Sequence, residues 1–582
     1  PASGLTAIYA IQGAGDASLL EGADVTIEGV VTGDFQEGDS DTSRNLGGFY
    51  VQGTPDGDVE TSDGVFVFDG SNPRTDVAPG DLVRVSGSVT EYFGETQIAA
   101  AAVEIVGSGD IQPEPVNLPV GTIRNADGRL IADLERYEGM LVTFPQALAV
   151  SQLRNLERYG EILLSQGGRQ YAYTNVHAPD VAGFAAHSNS VVSRRIYLDD
   201  GLRINNAGTT LSVRNGDEIR DLTGVLRFSR GAGDSGIATY RLMPTVEPTF
   251  RNTNPRPPVP AVNGEFKVAT FNANNYFSTP NDNGPVCGPA GDADCRGADS
   301  DEELARQLAK IVTVLEMMDA DIVAMIELEN NASESLQTIV DALNASVGAG
   351  AFAFVDTGTI GDDATKVGLI YRPANVRTIG GFKLLDNDVN VRFDDNRHRP
   401  VLAQTFETVS ESERFTVLAL HLKSKGSPCE SSGDPDVGDG QGNCSATRAL
   451  AAAAMIDWMA TDPTESGDSD FLVIGDFNTH TFGDAMMLFE NAGYVNVAAA
   501  HIGASAYSFE FDGQFGSLDH AVASPSMAPR VTGAADWHIN ADEAPINDYN
   551  LDYGRDPGIF DPAIPYRASD HDPLIIGFDF PP

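Results

Sequence analysis

A proline-rich stretch divides this chain into two parts with different sequence patterns. NTNPRPPVPAVNG, residues 252–264, is typical of a linker, because proline stiffens the backbone and cannot continue a helix or a central strand. Before it, short apolar runs are separated by Gly and Asp turns, and after it, strand-like runs alternate with helical periodicity. A chain of 582 residues exceeds what one hydrophobic core supports, so several domains are expected.

The part before the linker is predicted to be all-β. Strand-like runs between residues 25 and 107 predict an OB-like β-barrel within 1–112; they are VTIEGVV, GGFYVQG, GVFVFDG, DLVRVSGSV and TQIAAAAVEIVG. A weaker echo of this pattern predicts a second β-rich, OB-like domain in 113–251. Aromatic residues of the first barrel would stack on bases if they faced outwards, but strand alternation favours a core position for them. They are Phe49, Tyr50, Phe66, Phe68, Tyr92 and Phe93.

The part after the linker, residues 265–582, is predicted to be an α/β domain. Its buried strands include FKVATFN, DIVAMIELEN, FTVLALHLKSK and FLVIGDFN. A capping box of Ser300 and Glu303 predicts the start of a helix, and ATRALAAAAMIDWMA predicts another. Two mixed sheets packed face to face, with helices outside, account for this order of elements.

Polar side chains follow many of these strands where packing does not require them. In FLVIGDFNTH, residues 471–480, Gly475 lets the backbone turn as the polar residues emerge. The whole set is Asn272, Asn274, Glu327, His421, Asp476, Asn478, Asp519, Asp570 and His571. Any one of them alone is explained equally well as a turn residue. Together, their carboxylate, amide and imidazole groups predict a hard divalent cation with a phosphate beside it.

Phosphodiester hydrolysis needs these residue types. The substrate is an anion, so a cation must offset the charge that grows on its oxygens, and a water must lose a proton near neutral pH. An imidazole held by a carboxylate takes that proton. Because strand neighbours point to opposite faces, Asp570 is a poor partner for His571, and Asp519 is the better one. By the same alternation, His520 points away from the site. Glu329 has the same parity as Glu327 and could reach the site, but it is expected to be a solvated strand end because Mg²⁺ needs few carboxylates.

The ordered motifs resemble a known superfamily. FNANN, DIVAMIELEN, HLKSK, GDFN, SLDHAV and SDHDP are similar to the successive motifs of the endonuclease/exonuclease/phosphatase superfamily, which includes deoxyribonuclease I and exonuclease III. The resemblance covers about residues 266–580. The β-rich front part, the linker and the local cysteine pairs further resemble secreted bacterial endonucleases of the ExeM/NucH type. This resemblance implies a four-layer αββα sandwich and metal-dependent phosphodiester hydrolysis.

The resemblance also implies a metal site. Glu327 matches the Mg²⁺ ligand of the superfamily, with Asp570 and either Asn272 or Asn274 beside it. Mn²⁺ is the alternative ion.

The catalytic and phosphate-binding roles follow from the same resemblance. Asp476 and Asn478 hold the attacking water or the phosphate. His571, oriented by Asp519, is the general base or an electrostatic partner, and His421 faces the scissile phosphate from the opposite side. Two cations on the same rim, Arg399 and Lys423, are candidates for contacting the phosphate, and a simple surface charge is the alternative for each.

The charge balance argues against general electrostatic binding of nucleic acid. The chain has 84 acidic and 37 basic residues, a formal charge of −47 and a pI of about 4.3. Such acidity fits a protein that stays soluble in salty, marine or halophilic surroundings, and a simple solvated acidic surface is the favoured alternative for most of these charges. The acidic loops GDADCRGADSDEE and DPDVGDGQGN do not match an EF-hand. Structural Ca²⁺ in these loops is left open, beside simple disulfide-closed loops.

Four cysteines form two pairs that are close in sequence. Cys287 with Cys295 and Cys429 with Cys444 predict two local disulfides and an oxidising compartment, although other pairings and a zinc site remain alternatives. The chain begins PASG without Met, as a processed secreted protein does. No apolar run is long enough for a membrane span, and a monomer is expected.

The function predicted from the sequence is a secreted Mg²⁺- or Mn²⁺-dependent endonuclease acting on extracellular DNA, with RNA left open. One alternative is a phosphodiesterase or phosphatase acting on phospholipid or inositol phosphate at the same kind of site. A lipid enzyme is expected to carry an exposed apolar hairpin near the site, and the polar loops predict none here. Another alternative is a DNA- or polysaccharide-binding adhesin with an inactive nuclease-like domain, which the intact residue set argues against.

Overall fold

A computed structural model of the chain describes residues 4–36, 46–70, 75–202, 212–231 and 236–580. These residues fall into two compact units, one within 1–170 and 187–255 and the other within 171–186 and 256–582. Residues 171–186, which we predict to belong to the second β-rich domain, therefore pack with the second unit. Across the described ranges, no helix combines the length and the apolar character that crossing a bilayer requires.

Five strands of the first unit close into a barrel. After α1 (Ile8–Gln12) come β1 (Asp24–Phe35), β2 (Gly48–Gln52), β3 (Gly64–Phe68), β4 (Asp81–Tyr92) and β5 (Glu95–Ser108). The strand order is β1-β2-β3-β5-β4, and antiparallel pairing of β1 with β4 closes the barrel. Valine and isoleucine side chains fill its core because alternate residues of each strand point inwards.

Three of the six barrel aromatics are buried, as a core position requires. Phe49 lies in the barrel core, where it is fully buried. Tyr50 and Phe66 are buried as well, but in a separate cluster with Val225 and Met243, which belong to later strands of the same unit. Tyr50 and Phe66 therefore face out of the barrel, unlike the inward position expected from alternation, and they are buried because a second layer of packing covers them.

The expectation is wrong for the other three aromatics. Phe68, Tyr92 and Phe93 are 41%, 44% and 54% exposed. Phe68 shares the outward face of Phe66, yet it is the last residue of β3. Tyr92 and Phe93 lie at the turn between β4 and β5, where Phe93 has a φ of 53°. Strand ends and turns leave these rings uncovered.

The second β-rich region is built on an eight-stranded sheet. Its strands and the intervening short strands are β6 (Glu114–Pro115), β7 (Thr122–Arg124), β8 (Leu130–Ala132), β9 (Leu141–Phe144), β10 (Leu148–Gln152), β11 (Ile162–Gln166), β12 (Gln170–Tyr171), β13 (Arg195–Leu198), β14 (Glu218–Ile219), β15 (Leu222–Ser229) and β16 (Thr239–Pro244). The helices are α2 (Leu156–Tyr159), α3 (Tyr173–Val176) and α4 (Val181–Val192). The sheet order is β14-β10-β11-β13-β16-β15-β9-β6, which differs from that of the barrel.

The second unit alternates strands and helices, as predicted. Its strands are β17 (Phe266–Tyr276), β18 (Ile322–Glu329), β19 (Ala353–Phe354), β20 (Thr365–Tyr371), β21 (Val376–Leu385), β22 (Val401–Thr408), β23 (Arg414–His421), β24 (Phe471–Asp476), β25 (Val495–Asn496), β26 (Phe509–Phe511), β27 (Gln514–Gly516), β28 (Asp519–Ala523), β29 (Val531–Asp536) and β30 (Leu574–Phe578). Its helices are α5 (Asp301–Met318), α6 (Glu334–Val347), α7 (Ser445–Met459), α8 (Asp484–Asn491) and α9 (Val497–His501). Ser300 caps α5 by accepting from the Glu303 N–H.

Two six-stranded sheets pack face to face between layers of helices. Their orders are β19-β20-β18-β17-β30-β29 and β21-β22-β23-β24-β28-β25. In β18, Ile322 and Ala324 face the second sheet, while Val323 and Met325 face α5 and α6. Helices α7 and α8 cover the outer face of the second sheet. Strands buried on both faces therefore produce the four αββα layers.

The proline-rich stretch packs largely onto the second unit. Arg256 forms a two-pronged ion pair with the buried carboxylate of Glu543, and the carbonyl of Pro257 accepts from the Tyr566 hydroxyl.

Both disulfides lie in this unit. Cys287 is joined to Cys295 and Cys429 to Cys444, and all four sulfur-bearing residues are buried.

Candidate functional site

Three adjacent strands of the second sheet place His421, Asp476 and Asp519 side by side. His421 ends β23 and pairs with Asp476, which ends the parallel strand β24. Asp519 begins the antiparallel strand β28 directly opposite Asp476. The strand register thus gathers an imidazole and two carboxylates at one edge of the sheet.

Glu327 reaches the same place from the first sheet. It lies at a register shift in β18 and has a φ of 61°, a left-handed conformation that is strained for glutamate. Its Oε2 accepts a 3.0 Å hydrogen bond from the N–H of Asn275, which also has positive φ. Such strain is tolerated where it aims a functional side chain, and here it directs the carboxylate to the sheet edge.

The edges of the two sheets meet at His421. Its Nε2 lies 3.5 Å from Oδ2 of Asp476 and 4.0 Å from Oε1 of Glu327. One imidazole therefore faces a carboxylate from each sheet.

His571 approaches from the loop before β30. Its Nδ1 lies 2.7 Å from Oδ2 of Asp519, and its backbone carbonyl accepts a 2.6 Å bond from Asn540. The ring also packs on Phe509, with 4.6 Å between centroids. These contacts hold the ring on three sides and leave Nε2 as the nitrogen that Asp519 does not engage.

The carboxylates of the site are crowded in a buried setting. Burial, followed by repulsion from Asp519 and Glu327, raises the pKa of Asp476 to about 8 against the opposing charge of His571. Burial and the charge of Asp570 likewise raise the pKa of Glu327. A bound cation would stabilise the charged form of both carboxylates and so lower both pKa values.

The two histidines are in opposite electrostatic settings. Burial and the nearby charges of Arg399 and His571 lower the pKa of His421 well below its ordinary value, so its ring is neutral. Burial also opposes charge on His571, but the carboxylates of Asp519, Asp570 and Asp476 outweigh it and raise that pKa well above its ordinary value. His571 is thus the stronger base.

The residues around Glu327 fit a hard divalent cation that takes only a few of its ligands from the protein. Asp570 lies close enough to repel Glu327, and of the two candidate amides Asn272 is the one that acts on the Glu327 charge. Asn274 contributes its backbone N–H to Oδ1 of Asn272. Among the residues that the structure describes, no three His, Cys, Asp or Glu side chains are grouped as a complete metal cage. Mg²⁺ needs only one or two carboxylates and keeps its waters, so this donor set suits it.

Asn478 sits beside Asp476 in a tight polar turn. Its backbone N–H donates to Oδ1 of Asp476, its side chain donates to the carbonyl of Leu422, and its φ is 50°. Asparagine tolerates this left-handed conformation better than most residues.

Two predicted cations lie on the rim of the site. Nε of Arg399 donates to Oγ1 of Thr365 at 2.9 Å and lies 3.6 Å from Asp363, and its charge acts on both His421 and Glu327. Lys423 is half-buried, and burial followed by the charge of Arg399 lowers its pKa.

Sequence reasoning missed a third rim cation, Arg296. It is exposed, follows the disulfide residue Cys295, and its charge acts on His421, Asp363 and Lys423. Arg296 lies in an acidic, Gly-rich loop, where no helix or strand periodicity indicates which side chains face the site.

Two residues next to the site, His520 and Glu329, are predicted from the sequence to point away from it or into solvent, and the structure shows where each one lies. His520 lies away from Asp519, where its Nε2 contacts the carbonyls of Thr479 and Ser517. Glu329, expected to be solvated, is only 3% exposed. Its carboxylate accepts from the hydroxyls of Ser278 and Thr279, so a neighbouring loop covers the strand end.

A cavity of about 490 Å³ opens on the site residues and extends beyond them. Glu327, His421, Asp476 and His571 are among its lining residues. It is also lined by aromatic and polar residues that sequence reasoning missed, among them Tyr173, Phe184, Lys425, Phe509, Phe511 and Gln514.

The expectation that no apolar hairpin stands near the site is wrong. Strands β26 and β27 form a hairpin, FEFDGQF, that places Phe509 and Phe511 on the cavity, and Phe511 is 64% exposed. Alternation of the two Phe residues before Gly513 was the sequence signal for this hairpin.

A model of the Endonuclease/Exonuclease/phosphatase family matches residues 269–571, just over half of the chain. The chain belongs to this family. The match spans all of the predicted site residues, from Asn272 to His571. It excludes residues 171–186, although they line the cavity.

Solved structures similar to this family member share little sequence with it. An endonuclease/exonuclease/phosphatase family protein from Bacteroides thetaiotaomicron is 15% identical with a TM-score of 0.34, covering 53% of this chain and 96% of its own. A mannosyl-6-phosphatase from the same species is 16% identical with a TM-score of 0.34, covering 54% and 100%. D. rerio TDP2, solved with a single-strand DNA product, is 15% identical with a TM-score of 0.33, covering 53% and 97%. No curated protein matches the chain by sequence.

Proposed function

We propose that this chain is a secreted, Mg²⁺- or Mn²⁺-dependent endonuclease that hydrolyses phosphodiester bonds of extracellular DNA. The observation that carries the proposal is the convergence on one cavity of Glu327, a carboxylate suited to a metal, and His571, a histidine held by Asp519. Phosphodiester hydrolysis requires both groups within reach of one phosphate.

The proton is handled by His571. Because Nδ1–H donates to Asp519, Nε2 is the nitrogen that accepts the proton of the attacking water when the ring is neutral. A cation held by Glu327 and Asp570 would favour this neutral form, because it would offset carboxylate charge that raises the pKa of His571. Asp519 holds the ring in this tautomer and stabilises the charge that the ring gains. Asp476 and Asn478 hold the water or the phosphate, and His421, whose ring is neutral, faces the phosphate from the opposite side.

Glu327, Asp570 and Asn272 are the residues that would hold the divalent cation. When bound, the cation supplies positive charge next to the phosphate oxygens, which lowers the barrier to attack. It would also relieve the repulsion between Glu327 and Asp570. Arg399, with Lys423 beside it, adds positive charge from the rim.

A polyanionic substrate is compatible with the acidic chain because the cations are local. Arg296, Arg399 and Lys423 act on one another or on the same groups at the site. At a formal charge of −47, binding of DNA depends on this patch and on salt that screens the remaining surface.

Two disulfides support secretion, because such bonds persist in oxidising compartments. Together with the N-terminal β-barrel, they support placement among nucleases of the ExeM/NucH type. We further assign the closed five-stranded barrel to the OB type, on its strand number and order. An OB barrel in this position would serve as an accessory DNA-binding module.

A phospholipid or inositol phosphate substrate is the alternative that the Phe509–Phe511 hairpin favours. One 64%-exposed phenylalanine is far less apolar surface than membrane-binding segments present, and the surrounding loops are acidic. The inactive adhesin has no such support, since an inactive site has no need to retain a strained Glu327 or a buried carboxylate–histidine pair.

Purified full-length protein and supercoiled plasmid DNA provide the test. With Mg²⁺ or Mn²⁺ we expect nicked and then linear DNA, no cleavage in EDTA, and recovery when metal is restored. RNA is assayed in parallel. An intact plasmid at every metal concentration, with release of phosphate or headgroup from inositol phosphate or phospholipid vesicles, would overturn the proposal.

A further inference from the structure

We propose that residues 171–186 form a substrate-binding wall of the active site, and that the cavity beside them binds one unpaired nucleobase next to the cleaved phosphate. This inference rests on the proposed nuclease function and specifies its substrate: a nucleotide outside a base pair. The wall comes from a segment that precedes the proline-rich stretch and lies outside the family match.

The segment is anchored by buried hydrogen bonds. Asn175 is 1% exposed; its Nδ2 donates to the carbonyl of Ala506, and its Oδ1 accepts from the N–H of Ser517 at 2.9 Å. The N–H of Ala172 donates to the carbonyl of Phe515, in the strand that follows the Phe509–Phe511 strand of the hairpin. The segment and the hairpin are therefore fixed to each other.

A second set of contacts fixes the segment to His480, which follows β24, and to the loop between β23 and α7. Oγ1 of Thr174 lies 2.9 Å from Nδ1 of His480 and 3.1 Å from the carbonyl of Gly440. Gly440 has a φ of 93°, and a Cβ there would lie 2.7 Å from the Tyr173 ring. Glycine is required at this close approach, so the loop and the segment are shaped to fit.

Four aromatic residues line the cavity. Tyr173 and Phe184 come from the segment, with 5.9 Å between ring centroids, and Phe509 and Phe511 come from the hairpin. Phe509 also packs on His571, so this aromatic surface begins at the catalytic histidine. Aromatic rings that line a path leading from a phosphate site are suited to stacking on a base.

Polar groups among these rings favour a base over an acyl chain. Lys425 and Gln514 line the cavity with the aromatics, and Nζ of Lys425 lies 3.2 Å from Nδ1 of His480. An acyl chain would offer no partner to Gln514 or to the remaining N–H groups of Lys425, and burying them unpaired costs free energy, whereas the edge of a base offers donors and acceptors to both.

The size of the cavity suits a single nucleobase that is not part of a base pair. Its volume of about 490 Å³ is in the range of small-molecule sites and is enough for a nucleoside. A base in duplex DNA must leave its stack to enter such a pocket. The structure therefore favours single-stranded DNA, or a duplex in which the base is already unpaired.

The test uses the full-length chain and two short single-stranded oligonucleotides, each with one cleavable linkage and the others blocked. In the second, an abasic residue replaces the nucleotide on one side of that linkage, and both sides are tried. We expect the wild type to prefer the base-bearing oligonucleotide in kcat/KM by on the order of 10-fold, the size of one stacking contact.

Phe184→Ala and Phe511→Ala should lower this preference towards 1, while Val181→Ala, an exposed position on the same helix as Phe184, should keep it. Circular dichroism and Tm establish that each variant is folded. Hydrolysis of bis(4-nitrophenyl) phosphate measures phosphodiesterase activity without a nucleobase, and Val181→Ala should keep the wild-type rate on it.

Equal cleavage of both oligonucleotides by the wild type would overturn the base pocket while leaving the nuclease function intact. A folded Phe184→Ala that keeps the full preference would remove the segment from substrate binding. Failure of the wild type to cleave either oligonucleotide, with bis(4-nitrophenyl) phosphate still hydrolysed, would instead reject the nuclease function on which the inference rests.

Discussion

Nδ1 of His571 lies 2.7 Å from Oδ2 of Asp519, and both side chains are more than nine-tenths buried. The carboxylate fixes the tautomer of the ring and stabilises its charged form, so the pair works as a unit. An active site that relies on this unit should be sensitive to the loss of either member.

Asp519→Asn should lower kcat by about 10²- to 10⁴-fold, the usual contribution of a positioned base, with little change in KM. The amide keeps the size of the side chain but neither fixes the tautomer nor stabilises the imidazolium. Steady-state kinetics on plasmid or oligonucleotide DNA measure kcat and KM separately. The matched control is His520→Gln, next in sequence but turned towards the carbonyls of Thr479 and Ser517. Equal losses of kcat in both variants would mean that the base has been misplaced.

Glu327→Gln should lower kcat/KM by on the order of 10³-fold, because several kcal/mol of charge stabilisation depend on the metal it would hold. The fold should survive, since Gln accepts the same hydrogen bond from Asn275 and removes the repulsion with Asp570. Calorimetric titration with Mn²⁺ should show weakened binding and an unchanged or raised Tm. Wild-type turnover at saturating Mg²⁺ would contradict the assignment.

Buried His398 should make the protein sensitive to acid. Nδ1 accepts from the N–H of Lys423 and Nε2–H donates to the carbonyl of Thr447, and burial lowers the pKa of His398 to about 3. The unfolded chain takes up this proton below about pH 6.5 while the native state does not. Stability is therefore lost as pH falls from 6.5 towards 3.

Between pH 7 and pH 5 this one group should cost about 2 kcal/mol of unfolding free energy. Gln offers one donor and one acceptor at similar positions. The His398→Gln variant should therefore lose about 2 kcal/mol less unfolding free energy than the wild type between pH 7 and pH 5. Urea unfolding of both proteins at the two pH values provides the measurement. If both proteins lose the same unfolding free energy between the two pH values, His398 is protonated in the native state.

Both disulfides should stabilise the second unit. Their sequence separations are 8 and 15, and closing loops of this length removes about 2 to 3 kcal/mol each of unfolded-state freedom. Reductant should lower the Tm, and mass spectrometry after alkylation without reduction should find no modified cysteine. Labelled thiols in native protein, or a Tm that does not change when reductant is added, would contradict this prediction.

Much of the catalytic half could be predicted from the sequence because it is encoded locally. Two-faced burial makes β18 and β24 continuous apolar runs, the Ser300 cap marks the start of α5, and polar residues at strand ends have no packing role. Alternation alone separates Asp519 from His520. Local signals of this kind also identify the five barrel strands and pair the nearby cysteines.

What only the tertiary structure decided depends on contacts between residues distant in sequence. Glu329 looks solvated until the loop carrying Ser278 and Thr279 covers it, and Phe66 is buried only because other strands of its unit pack over it. The wall at residues 171–186 lies some 150 to 400 positions from the site residues it adjoins. No periodicity records such a contact, since it exists only after the chain has folded and the two segments bury each other's polar groups.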